Sequence, residues 1–242
     1  MTRDAGTLRV FDAPADVAAA LADTFLATAR DAIAERGSFA VSLAGGTTPK
    51  AAYALLAQGP RANAIDWNAV NIYFGDERCV PPDHEQSNYK MANGAFIRAL
   101  AIPDAHVHRM HGEDDPANAA RAYRDDVIAS LGAQPRFDLV MLGMGPDGHT
   151  ASLFPGSDPL TDNDALVRAV YSQSQSQWRI TLTPALLNAA RAVVFAVEGS
   201  GKTATLAKVR EGPYDPITYP SQIIAPTDGT LTWLADKAAA GV

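Results

Sequence analysis

Residues 38–49 read SFAVSLAGGTTP. Ser38 to Leu43 carry no charge, and they run straight into Gly45-Gly46 and then Pro49. An unbroken apolar run of that length is the pattern of a strand buried on both faces. The glycine pair turns the chain. Pro49 suits the first turn of a helix over Pro49–Gln58, where its missing N–H is not needed. The same grammar recurs three times. Ala69–Phe74 (AVNIYF) ends at Gly75-Asp76-Glu77-Arg78, and Phe137–Leu142 (FDLVML) meets Gly143, Gly145 and Gly148. Ala192–Val197 (AVVFAV) leads into Gly199-Ser200-Gly201-Lys202.

Helical patterns lie between these runs. Over residues 14–36, Val17, Leu21, Phe25 and Ile33 form one stripe, with Pro14 in the first turn and Gly37 as the stop. Ser87 or Asn88 opens a helix to about Leu100. Asp115 and Pro116 start another that Gly132 ends, and Thr183-Pro184 starts a third. Leu166–Tyr171 and Arg179–Leu182 read as shorter strands, Thr230–Leu234 as a late strand and Ala235–Ala240 as a terminal helix. Apolar strands alternating with helices predict an α/β chain built on an open, mostly parallel sheet with helices on both faces. No repeat and no long linker divides it, so one domain over residues 1–242 is expected. Ser172–Gln177 (SQSQSQ) is too short for a linker and reads as a mobile loop.

Composition narrows the function. Twenty Lys+Arg against 27 Asp+Glu give a net charge of −7, which argues against a broad nucleic-acid face but not against a local cationic pocket. With 47% hydrophobic residues the 242-residue chain can build a core. One cysteine excludes an intrachain disulfide framework. Neither a secretory signal nor an 18-residue apolar span is visible, so a cytoplasmic protein is expected.

In an open parallel sheet, ligands bind beyond the carboxyl ends of the strands, and there the chain concentrates its polar and glycine-rich loops. Gly45-Gly46-Thr47-Thr48-Pro49 joins a strand to a helix N-terminus, an arrangement that offers free N–H groups to an anion; the alternative is a tight turn with Thr48 as cap. In Gly75-Asp76-Glu77-Arg78 charge follows directly on an apolar strand, as in functional loops; Glu77 is expected in a solvated ion pair. Gly143, Gly145 and Gly148 satisfy a dinucleotide-type spacing, yet Pro155 interrupts the helix and no acidic residue follows at the required distance. His149 is the informative residue of that loop: its reference pKa of about 6.5 suits proton exchange, and Asp147 can orient it. Gly199–Thr203 imitates a phosphate loop, but Ala196 stands where the pattern needs glycine; Lys202 remains a single cation for phosphate. His106, His108 and His111 lack a matching carboxylate pattern and are expected at the surface, with no metal. Cys79 reads as packing, and the three tryptophans, Trp67, Trp178 and Trp233, as core or edge aromatics.

Five segments carry a family resemblance: SLAGGTTPK from Ser42, YFGDERCVPPDHEQSNYKMA from Tyr73, DLVMLGMGPDGHTASLFPGS from Asp138, RITLTPALLNAARAVVFAVEGSGK from Arg179 and PSQIIAPTDGTLTWLAD from Pro220. In this order they resemble the 6-phosphogluconolactonase family, whose wider group shares a Rossmann-like fold with glucosamine-6-phosphate deaminases and acts on phosphorylated sugars. The deaminases carry a glutamate just before the proline of the GHTASLFP-like segment; here that position is Phe154, which cannot ionise. Cys79 stands where the lactonases commonly carry a bulky aromatic after GDER. The resemblance implies hydrolysis of 6-phospho-D-glucono-1,5-lactone with His149 as base, without metal or cofactor. Asp76 and Asp147 are expected to orient His149 or substrate hydroxyls. Arg179, Lys202 and the Gly45–Thr48 loop would hold the phosphate, and Arg78 the phosphate or the carbonyl. A monomer is expected. The rivals are a hexosamine-phosphate deaminase or isomerase and a non-catalytic sugar-phosphate sensor; the chain has no basic DNA-binding arm to favour the latter.

Overall fold

The computed structural model describes residues 5–161 and 165–242. Six parallel strands form the central sheet: β1 (Thr7–Phe11), β2 (Phe39–Leu43), β3 (Val70–Phe74), β5 (Leu139–Gly143), β8 (Ala192–Val197) and β9 (Thr230–Asp236), in the order β1-β9-β8-β5-β2-β3. Three further strands, β4 (Asp76–Arg78), β6 (Val167–Ser172) and β7 (Gln177–Leu182), make a separate antiparallel sheet in the order β4-β7-β6.

Strand residues alternate between two cores, as a sheet covered on both faces requires. Val41, Leu139, Met141, Val194 and Leu234 pack on one side. They meet α1 (Pro14–Arg36), α2 (Thr47–Leu56) and α3 (Asn88–Ala92). Ala40, Val140, Leu142, Phe195 and Trp233 point the other way. They meet α4 (Pro116–Leu131), α5 (Pro184–Asn188), α6 (Thr203–Glu211) and α7 (Lys237–Ala240). Phe25 anchors the first core, meeting Phe39 edge to face with ring centroids 5.1 Å apart. Phe195 stacks on Trp233 at 3.9 Å in the second. Burying one such side chain stabilises the fold by roughly 1.5–3 kcal/mol.

The predicted elements are present, with boundary changes that have local causes. The helix expected to reach Leu100 is regular only to Ala92; a wider turn over Asn93–Ile97, containing Gly94, then buries the adjacent Phe96 and Ile97. Ser87, not Asn88, is its cap. Strand β9 runs on to Asp236, whose carboxylate caps α7. Ser172–Gln177 forms a hairpin turn, and Gln177 already belongs to β7. Sequence reasoning missed β1, β4 and α6. No helix among the described residues is long and apolar enough to cross a membrane.

The strand order places the site. From β2 the chain steps outward to β3, then jumps back across β2 to β5 and proceeds the other way through β8 and β9. The reversal opens a crevice at the carboxyl ends of β2 and β5, which is where α/β sheets bind ligands.

Candidate active site

At the end of β2, Tyr53 fixes the turn: its hydroxyl accepts from the Ala44 amide at 3.0 Å and donates to the Ala44 carbonyl at 2.9 Å. Gly46, at φ +106°, occupies the N-cap position of α2, so Thr48 is a first-turn residue and not the cap. No side chain caps this helix and no acidic residue lies in its first turn. Its free amides and positive dipole end therefore face the crevice. Gly45 has to be glycine, because a Cβ there would lie 2.2 Å from Asn88 Oδ1.

Beyond β3 the chain passes through Gly75 into β4. Asp76 is buried; its Oδ2 accepts from Ser152 Oγ at 2.6 Å and its Oδ1 from Asn88 Nδ2 at 3.2 Å. Arg179 Nη1 lies 3.5 Å from the same carboxylate. Asp76 thus holds Arg179, Asn88 and Ser152, and it is not the residue bonded to His149. Glu77 is not solvated either. It is 3% exposed, and its carboxylate accepts from Ser87 Oγ and from the amides of Arg78, Asn88 and Tyr89, at 2.8–3.0 Å. The following helix turns its N-terminal donors toward Glu77, which explains the burial. Burial pushes its carboxyl above the ordinary value, with those amides opposing. Arg78 is pinned by the Gln86 carbonyl at 3.0 Å and by Asn88 Oδ1, and it pairs directly across the strands with Arg179.

The β5 loop supplies the imidazole. His149 Nδ1 lies 2.6 Å from Asp147 Oδ1, which also accepts from the His149 amide at 3.2 Å. A Cβ on Gly145 would sit 2.2 Å from His149 Nδ1, so glycine is what lets the loop fold back on its own histidine. That hydrogen bond holds the Asp147 carboxyl below its ordinary value. The turn continues through Ala151 at φ +47°, a left-handed geometry that costs a non-glycine residue about 1–2 kcal/mol, and it delivers Ser152 to Asp76. Phe154 packs against the His149 ring with centroids 5.0 Å apart.

Past β8, Gly199 donates to Asp236 at 3.0 Å, and Ser200–Lys202 form one tight turn before α6. This is too short to wrap phosphates. Lys202 is half-buried; its amide donates to the Gly199 carbonyl at 3.1 Å, while its ammonium makes no hydrogen bond or ion pair among the described residues. Burial pulls its ammonium below the usual value, opposed by Glu198 and Asp236.

One cleft of about 220 Å³ gathers these groups: Gly45, Gly46, Thr47, Thr48, Asp76, Arg78, His149, Arg179 and Lys202 all line it. Of the residues expected to act on the substrate, Asp147 alone stands behind the wall, supporting His149 and facing a neighbouring cavity. Three cations against one carboxylate make the cleft a place for an anion on an acidic chain. Asn88, Ser152 and Gln175 escaped sequence reasoning as site residues. Their partners Arg78, Asp76 and Arg179 lie across folded strands, and polar residues of these types are common in loops. The bystanders separate. His108 stacks on Tyr73 and bonds Asp126 at 2.9 Å, His106 is half-buried, and only His111 is exposed. The expectation of three surface histidines therefore holds for one, since α4 covers His108 through Asp126. No group of three potential ligands could hold a metal among the described residues. Burial pushes the Cys79 thiol up to about 11.

Comparison with known proteins agrees with this geometry. The family model described as glucosamine-6-phosphate isomerases/6-phosphogluconolactonase matches residues 12–233. A 6-phosphogluconolactonase from Synechocystis sp. is 40% identical over 213 residues, covering 86% of each chain. The structure of a 6-phosphogluconolactonase from Trypanosoma cruzi superposes with a TM-score of 0.90 at 28% identity, covering 99% of this chain and 97% of that one. A monomeric glucosamine-6-phosphate deaminase, at 17% identity and a TM-score of 0.84 over 97% and 99% of the two chains, shares the fold alone. With the family model matching residues 12–233 and a 6-phosphogluconolactonase 40% identical over most of both chains, the chain belongs to the glucosamine-6-phosphate isomerase/6-phosphogluconolactonase family, on its 6-phosphogluconolactonase side.

Proposed function

We propose that the chain hydrolyses 6-phospho-D-glucono-1,5-lactone to 6-phosphogluconate, with His149 as general base. The observation that carries this reading is the Asp147–His149 pair opening onto the same cleft as Arg78, Arg179 and Lys202. A carboxylate only accepts, so Asp147 keeps the proton on His149 Nδ1 and leaves Nε2 free to take one. Water loses a proton to Nε2 as its oxygen bonds to the lactone carbonyl carbon. The tetrahedral adduct then expels the ring oxygen, which receives that proton from the imidazolium. Arg179, Lys202 and the amides of Gly45–Thr48 hold the phosphate, and Arg78 reinforces them from across the strand pair. Asp76 orients Arg179. Phe154 supports a lactonase over a deaminase, because the position just before Pro155, packed against the His149 ring, carries no acid. The proposed working unit is a single-domain monomer.

The test is lactone loss above the spontaneous rate in His149→Ala. We expect a fall of at least about 10²-fold, the lower end for a general base. Turnover within about threefold of the parent, far short of that range, removes His149 from the role.

A further inference from the structure

Strands β6 and β7 are joined by four exposed residues, 173–176, since Ser172 and Gln177 are the last pair of the ladder. Ser176 adopts a left-handed φ of +49° to close the turn. Gln177 Nε2 donates to Gln86 Oε1 at 3.0 Å and ties the base of the hairpin to the segment before α3. From the tip, Gln175 reaches back into the cleft, where its amide oxygen accepts from Arg179 Nη2.

That guanidinium is poorly served for its burial. Arg179 is 5% exposed, and among the described residues its one carboxylate partner, Asp76, lies 3.5 Å away while its Nε is buried without a partner. Arg78 stands directly opposite it across the strand pair, where a like charge is unfavourable. A neutral amide oxygen brings no countercharge to this concentration of positive charge, whereas a phosphate brings negative charge and can bind a guanidinium through two oxygens at once. Gln175 also borders a second cavity that adds Lys50 and Glu85, and the two cavities share Gly46, Thr47, Arg78, Asn88 and Arg179. It stands on the partition between them and is itself exposed.

We propose that Gln175 is a displaceable latch on the anion site: its amide oxygen occupies Arg179 in the free protein, and an incoming phosphate takes its place. The hairpin tip thereby sets the threshold for entry. A dianionic phosphate displaces the amide, and a neutral sugar hydroxyl does not. The latch depends on the lactonase reading only for which sugar phosphate enters.

Calorimetric titration of the whole chain with inorganic phosphate and with 6-phosphogluconate tests it. Gln175→Ala removes the internal competitor, and both ligands should bind about fivefold tighter, with KM falling in parallel. Gln175→Glu replaces the amide by a carboxylate and should weaken both by about tenfold. A purely structural role moves both variants the same way, so opposite signs identify the latch. Unchanged or weaker binding in Gln175→Ala overturns it, as does tighter binding in Gln175→Glu. Tightening in Gln175→Ala by a chain that leaves the lactone untouched overturns the lactonase reading and keeps the latch.

Discussion

At His149 two neighbours do different work. Gly145 makes room, and Asp147 chooses the tautomer through a 2.6 Å contact to Nδ1. Asp147→Asn keeps the shape but presents an amide whose flip can offer N–H to the ring. We expect kcat to drop by at least about tenfold, part of the roughly 10²- to 10⁴-fold that a positioned base contributes. The same pair predicts a stability change with pH. The folded Asp147 carboxyl lies below its ordinary 3.8, so the contribution is complete above that value and is lost as pH falls through the folded one. Acid titration of unfolding should show a shallower loss below pH 4 in Asp147→Asn than in the parent; superimposable curves would remove the linkage. His149 and Asp147 were legible in the sequence because they are two residues apart in a glycine loop. Asp76 was legible as a site residue but not in its partners, which come from Asn88, Ser152 and Arg179, up to 103 positions along the chain.

Among the elements, the apolar strands and the long helix α1 announced themselves, since burial on both faces or on one stripe leaves a strong pattern. Three-residue β4 did not. Its residues Asp76, Glu77 and Arg78 are all charged, and only the pairing with β7 makes them a strand. Strand β1 has a mixed pattern because it lies at the sheet edge, half in solvent. Charge in β4 misled the sequence reading of Glu77, whose role is to receive the N-terminal donors of α3. Glu77→Ala would strand three backbone amides in a buried place, each costing about 1–3 kcal/mol. We expect a loss of about 3 kcal/mol or more in denaturant unfolding, and a higher KM because Asn88 and Arg78 are anchored through that helix. A stability change below about 1 kcal/mol, less than one such stranded amide, would show that water replaces the carboxylate there.

For the whole molecule, charge is divided unevenly: 27 acidic groups lie against 20 basic ones, yet the cleft at the β2–β5 crevice collects Arg78, Arg179 and Lys202. Anion binding there should stabilise the fold. At a ligand concentration of 100 times Kd, linkage supplies about 2.7 kcal/mol, which for a chain of this size raises Tm by roughly 5–10 °C. We expect that shift with 6-phosphogluconate, diminished by added salt, and little with unphosphorylated gluconate. Equal shifts for both would move recognition away from the phosphate. Among the described residues β1 pairs only with β9, so Thr7 must wait for Thr232 before its edge can close. A nascent chain stalled before residues 230–236 have been made therefore exposes the bare flank of β8 to any other chain nearby.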